Sequence, residues 1–193
     1  MIVCESKQDF NILKSLRAHG WDREINQKNV KDFNFINEGF NLRPLDLTAS
    51  IGLNQFKRLN KLKSTRAKNR DNLIKSLKLS KKWNNQFSFF NPQKNLDPSW
   101  FGFPLMINKN ETKSKKNFLN FLNKNRIETR PIISGNFINQ PAIKKYKIKY
   151  KRGDLKNTQD IEDRGFFIGL PTEILDRSKI NKITNLLLNV NNF

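Results

Sequence analysis

The sequence predicts an α/β to α+β protein, with a helical N-terminal portion followed by a small mixed lobe. Three observations carry this. Gly39 to Gln55, GFNLRPLDLTASIGLNQ, reads as a loop that turns into a helix. A helical apolar pattern then runs from about Lys61 to Leu79. After Lys82 come short aromatic-rich runs and helices in the order β-β-α-β-(α)-β-α, the pattern of a small sheet with helices on one face.

Met1 to Cys4 is a short apolar run, read as the end of a strand. It starts without a turn or cap, as though cut from something longer. Ser6 or Asp9 is placed to cap a helix whose apolar face is Phe10, Leu13, Leu16 and Ile12. Gly20 ends it, with Arg17 and His19 in the last turn, where positive charge is favoured. Residues 22–38 are polar and weakly periodic, a loop ending in the apolar piece Phe33 to Ile36. Gly39 and Asn41 suit the dihedrals of a sharp turn. Pro44 falls where a first helical turn has no donor to lose, and Asp46 places negative charge at the positive end of the helix. Leu45, Ala49, Gly52, Leu53, Phe56, Leu59 and Leu62 follow at helical spacing, and Ala49, Ser50 and Gly52 would admit a second backbone.

The next helix sets Leu62, Ala67, Leu73, Ile74 and Leu77 on one side, either as a connection between two lobes or as a surface helix. Phe87 to Phe90 and Trp100 to Ile107 read as strands, punctuated by Asn91, Pro92, Asp97 and Pro98. Thr112 to Asn125 is a helix with Phe118, Leu119 and Leu122 inward, and Ile127 to Thr129 a short strand ended by Arg130-Pro131. Ile132 to Gln140 has turn chemistry and few charges, and Pro141 can open a short helix. Thr158 to Asp163 reads as a helical turn and Phe166 to Ile168 as a strand. Pro171 breaks the chain, and Ser178 caps a last helix through Ile183, Leu187 and Val190. Lys144 to Arg152, KKYKIKYKR, is a basic edge strand or loop, or a phosphate-attracting surface.

The 193 residues suffice for one ordinary domain, and an apolar content of 36% for a core. One cysteine, Cys4, excludes an intrachain disulfide and suits a reducing compartment. No apolar run approaches a membrane span, and MIVCESKQDF lacks the features of a signal peptide, so the expected setting is cytoplasmic. The net charge of +20 fits a basic nucleic-acid-binding module, because lysine-rich surfaces bind phosphate backbones through counterion release. Against that, Lys, Asn, Ile and Phe share AT-rich codons, the lysines are spread along the chain, and no aromatic-interleaved basic motif is present. Nucleic acid is therefore kept as the alternative partner, not the expected one.

No G-x-S-x-G, P-loop, G-x-G-x-x-G or metal-spaced cluster is present, and the single His19 with one cysteine makes no metal site. Two loops have anion-friendly character, Phe40 to Arg43 and Arg130 to Asn136. An arginine fork donates two parallel bonds to phosphate or carboxylate. The two loops could hold an anionic ligand between lobes or subunits, or be turns with solvated arginines.

The motifs HGW (His19 to Trp21), GFNLRPLDLTASIGLNQFKRL (Gly39 to Leu59), WFGFPL (Trp100 to Leu105), IETRPIISGNFINQPA (Ile127 to Ala142) and FFIGLP (Phe166 to Pro171) come in the order of one known family. The chain resembles the C-terminal half of the DegT/DnrJ/StrS pyridoxal-phosphate-dependent sugar aminotransferases and dehydrases. The resemblance implies a portion of a fold-type I transferase, with residues 1–60 a remnant of the large cofactor domain and 61–193 the small C-terminal α+β domain. Aminotransferases of the family commonly carry a histidine in the loop after the Arg-Pro pair. Here that loop reads SGNF, Ser134 to Phe137, which looks more like the ColD-like or CDP-hexulose 3-dehydrase-like branch.

The implied cofactor is pyridoxal 5'-phosphate or pyridoxamine 5'-phosphate. The implied substrate is a 4-keto-6-deoxy sugar nucleotide of cell-surface polysaccharide synthesis. By resemblance, Asn41 with Arg43 would reach the cofactor phosphate of a neighbouring subunit, and Arg130, Ser134, Gly135 and Asn136 would approach the substrate. The family's cofactor lysine, or its replacing histidine, lies before the equivalent of Met1. No catalytic residue is expected here, and activity would need a homodimer or a complementing N-terminal half. Apolar faces without their cover imply poor solubility.

Overall fold

The structure is a computed structural model that describes residues 2–25, 34–111 and 113–193, with the backbone alone at Arg152 and Asp154. Phe33 and Thr112, each at one end of an expected element, lie outside the described residues. The chain forms two compact units, Met1–Lys57 and Arg58–Phe193.

Among its described residues the first unit holds two helices. Helix α1, Lys7–Arg17, begins at Ser6, whose hydroxyl accepts from the Asp9 N–H (3.0 Å). Of the two expected caps, Ser6 is the one used. The apolar run at Ile2 to Cys4 forms no strand, because a strand needs a hydrogen-bonded neighbour and none of the described residues supplies one. Helix α2, Asp46–Lys57, starts two residues after Pro44, with Asp46 in its first turn. It buries no residue.

The second unit is a four-stranded antiparallel sheet ordered β1-β2-β4-β3, made of β1 (Phe87–Phe89), β2 (Gly102–Ile107), β3 (Thr129–Arg130) and β4 (Gly165–Gly169). Pro104, which has no N–H for a ladder, sits just beyond the last β2 residue paired with β1, so it removes no bond there. Alternation along β2 sends Phe103, Leu105 and Ile107 to one buried face. There they meet Leu73 and Leu77 of α3 (Leu59–Leu79), Phe118 and Leu122 of α4 (Lys115–Lys124), and Leu187 of α7 (Arg177–Leu187). Phe166 meets Phe118 edge-on at 6.0 Å, and Phe103 stacks on Phe89 at 5.9 Å. The α+β order expected from sequence is the one observed, completed by α5 (Pro141–Lys145) and α6 (Lys156–Arg164).

Several boundaries differ from expectation: β1 ends at Phe89, β2 begins at Gly102, and α6 and β4 are longer than expected, while four further differences concern α3, α4, β3 and the last helix. Helix α3 starts at Leu59 and belongs wholly to the second unit. Its Asn69 is fully buried, donating to the Pro171 and Glu173 carbonyls (3.2 and 2.7 Å) and accepting from the Leu175 N–H (2.9 Å). Helix α4 begins only after Ser114, whose hydroxyl accepts from the Asn117 N–H (3.2 Å). Strand β3 starts at Thr129, because the Ile127 N–H still closes the end of α4 on the Leu122 carbonyl (2.9 Å). The last helix is capped by Asp176, which accepts from the Lys179 N–H (2.8 Å), and not by Ser178; Val190 falls in a following 3₁₀ turn. The basic run from Lys144 leaves α5 as irregular chain, not as an edge strand.

Candidate functional site

In the first unit, the loop carrying Asn41 and Arg43 is laced to the end of α1. The Phe40 N–H donates to the Leu16 carbonyl (2.7 Å), the His19 N–H to the Phe40 carbonyl (3.0 Å), and the Leu42 N–H to the Arg17 carbonyl (3.0 Å). This close lacing requires two glycines. Gly20 has φ +82°, and a Cβ there would lie 1.6 Å from the Asn37 carbonyl oxygen. Gly39 has no positive φ, contrary to the turn expected of it. It is needed for space, since its Cβ would lie 2.1 Å from the Gly20 nitrogen. Asn41 likewise adopts no left-handed conformation; it forms an antiparallel bridge with Ala18.

Asn41 and Arg43 are both exposed. The Arg43 guanidinium lies 5.9 Å from the Trp21 ring centre, and that of Arg23 lies 5.1 Å from the same ring. Among the described residues neither Asn41 nor Arg43 makes a side-chain hydrogen bond, so their donors are open to a phosphate. Sequence reasoning missed Trp21 and Arg23 as companions of Arg43.

In the second unit, Arg130 closes β3 and is held by Glu128, with Nε 2.9 Å and Nη2 2.8 Å from one carboxylate oxygen. Ser134 is exposed, and its carbonyl accepts from the Gln140 side chain (3.2 Å). Ile133 and Gly135 both lie in the left-handed region, at φ 52° and 68°, and Ile133 is 88% exposed. Asn136 is buried, and its groups are engaged inside the lobe. Its N–H donates to Glu162 (2.6 Å) and its Nδ2 to Gln159 (3.0 Å). Glu162 also accepts from the Asn139 side chain (2.9 Å). The loop is therefore shaped by Glu162 and Gln159 of α6, two residues that no motif or spacing singles out.

The structure brings Asn41 and Arg43 together in one unit, and Arg130, Ser134, Gly135 and Asn136 along one loop of the other. Among the described residues no three metal-capable side chains gather, and no helix is long and apolar enough to cross a membrane.

Residues 1–187 match the model of the DegT/DnrJ/EryC1/StrS aminotransferase family. The chain belongs to that family. It is 31% identical over 180 residues to the GDP-4-keto-6-deoxy-D-mannose 3-dehydratase of Escherichia coli O55:H7, a match covering 87% of this chain and 45% of that protein. The solved structure of an E. coli GDP-4-keto-6-deoxy-D-mannose-3-dehydratase with bound hydrated PLP superposes with a TM-score of 0.80 at 28% identity, over 96% of this chain and 49% of that one. Helicobacter pylori PseC, described as an aminotransferase of pseudoaminic acid biosynthesis, shares the fold at a TM-score of 0.78 and 17% identity, over 97% of this chain and 47% of that one. The chain spans about half the length of the curated relatives it matches. The family and the dehydrase branch read from the motifs are borne out, as is the portion of a fold-type I transferase expected from them.

Proposed function

We propose that the chain is the C-terminal portion of a cytoplasmic enzyme dependent on pyridoxal or pyridoxamine phosphate. The enzyme acts on a 4-keto-6-deoxy sugar nucleotide of cell-surface polysaccharide or lipopolysaccharide synthesis. Removal of the C-3 hydroxyl is preferred over amination. The observation that carries this is the likeness to 3-dehydratases: 31% identity to the curated relative and 28% to a solved structure. The SGNF loop, without the histidine common in the aminotransferases, supports the same branch.

In this reading Asn41 and Arg43 donate to the cofactor phosphate, which their open donors fit. The loop from Arg130 to Asn136 faces the sugar nucleotide, with Glu162 and Gln159 fixing its shape. When bound, the cofactor supplies an electron sink for breaking the bond beside the sugar carbon it holds. Residues 1–60 are the remnant of the large cofactor domain and 61–193 the small domain. The required amine or base comes from a complementing N-terminal half, and the working assembly is a dimer.

Mixing the purified chain with pyridoxal phosphate is expected to give no stoichiometric absorbance from covalently held cofactor. Adding the complementary N-terminal half, the sugar nucleotide and an amino donor should restore cofactor binding and turnover, with a product lighter by one oxygen at C-3; the amino donor, through the amine form of the cofactor, would supply the two electrons that replace that C–O bond by C–H. A stoichiometric band in the chain alone would overturn the dependence on a second half. A product carrying an amino group would overturn the dehydrase reading.

A further inference from the structure

The basic segment Lys144 to Arg152, KKYKIKYKR, has no part in the proposed site. It carries six cations in nine residues, more than any other stretch of that length, and no carboxylate stands between Glu128 and Asp154. Among the described residues none of its lysines forms an ion pair. Tyr146, Ile148 and Tyr150 alternate with the lysines and are exposed, Tyr146 by 68%. The chain has only two tyrosines against sixteen phenylalanines, and both tyrosines are here. A run serving solubility alone gains nothing from apolar side chains set between its charges.

The backbone presents this segment. Helix α5 is closed by the Ile148 N–H on the Ile143 carbonyl (3.1 Å) and the Lys147 N–H on the Lys144 carbonyl (3.3 Å), with Lys147 left-handed at φ 51°. Glycine is the usual residue at such a helix end, so the lysine keeps a charge there despite the strain. Ile143 is buried and anchors the helix in the lobe, while every residue from Lys144 to Lys151 is exposed.

We propose that this segment docks the protein on an anionic bilayer surface. Its lysines meet the lipid phosphates, and Tyr146, Ile148 and Tyr150 lie between the headgroups and the acyl chains. Polybasic segments are drawn to anionic leaflets. Tyrosine suits that boundary with an apolar ring and a polar tip, and a lysine stem lies along apolar surface while its ammonium stays wet. A nucleic-acid strand fits less well, because the middle of the apolar series is Ile148, which offers no ring for a base. The docking is peripheral and needs no spanning helix. It goes beyond the proposed function and does not depend on it.

The test is flotation of the full chain with phosphatidylcholine vesicles, with and without phosphatidylglycerol; flotation separates lipid-bound protein from aggregates. The chain should float only with the anionic vesicles, and less as salt is raised. The triple change Lys147→Gln/Lys149→Gln/Lys151→Gln should weaken binding roughly a hundredfold. The change Lys75→Gln/Lys81→Gln/Lys82→Gln removes the same charge from α3 and the turn after it, and should weaken binding less than about threefold. Ile148→Ser should weaken vesicle binding about fivefold and leave binding of a single-stranded oligonucleotide unchanged. Lys147→Gly should raise the melting temperature while weakening vesicle binding about fivefold, which separates lost docking from lost fold. Equal binding to neutral and anionic vesicles would assign the contact to an apolar face such as that of α2 and overturn the proposal. So would equal losses from the two triple changes, or an oligonucleotide that displaces the vesicles at equal phosphate concentration.

Discussion

Helices α2 and α3 follow one another in the chain with comparable apolar spacing, and their environments are opposite. In α2, Leu47, Ile51, Leu53 and Phe56 are 73, 57, 66 and 72% exposed. In α3, Leu73 and Leu77 are sealed against the sheet and α7, and Asn69 and Arg70 are buried with them. The difference teaches what periodicity records. An apolar stripe shows that a sequence is adapted to a cover; it does not say which chain brings the cover. Most helical stability in proteins comes from such packing; α3 has it within its own unit, and α2 buries no residue.

The comparison is tested hardest in the core under α3. Phe103 is fully buried on β2, and Phe103→Ala should destabilise the second unit by about 3–5 kcal/mol in denaturant unfolding. A loss below about 1 kcal/mol would mean that this lobe is no better packed than α2. Next in size is Asn69→Leu. It keeps the volume and removes three bonds to the chain at 171–175, leaving two carbonyls and an N–H without their partner. The expected loss is roughly 1–3 kcal/mol, in the same unfolding transition.

That asparagine also marks the limit of what the sequence made legible. Short aromatic strands and proline breaks announced the order of the second lobe, because a half-buried sheet face imposes a period of two. Buried polar residues impose no period. Asn69 and Arg70 sat unnoticed between the apolar positions of α3, although Arg70 donates to the Phe90 carbonyl (2.6 Å) and stacks over Trp100 at 4.3 Å. The candidate loops were legible through their motifs. What shapes them was not: Glu162 holds Asn136 from 26 residues away. Gly39 was singled out for the wrong property, as it provides room and not a left-handed turn.

A smaller effect comes at the start of α7. The Asp176 carboxylate is held below the usual carboxylate range, first by the Lys179 backbone N–H. A lowered folded pKa gives stability that is present above the unfolded value near 3.9 and is lost as pH falls through the folded one. The stability advantage over Asp176→Asn should therefore be constant near neutrality and shrink only below about pH 4. An advantage that persists at lower pH would assign the cap's contribution to its hydrogen bond and not to its charge.

The smallest effect is expected on α2. Leu53→Ala should change the stability of the chain by no more than about 0.5 kcal/mol, as at other exposed positions. Leu53→Glu should be equally neutral for folding, but should lower the apparent mass in sedimentation if the uncovered stripe drives self-association. If the proposed N-terminal half covers α2, the same leucine should behave as a core residue in the mixture, and Leu53→Ala should then weaken the assembly by about 2–5 kcal/mol. The jump between the two measurements isolates the cover from the helix, because the substitution, the helix propensity and the unfolded chain are the same in both. A leucine that is already costly to remove from the chain alone would mean that α2 has found a cover within it, and the contrast with α3 would disappear.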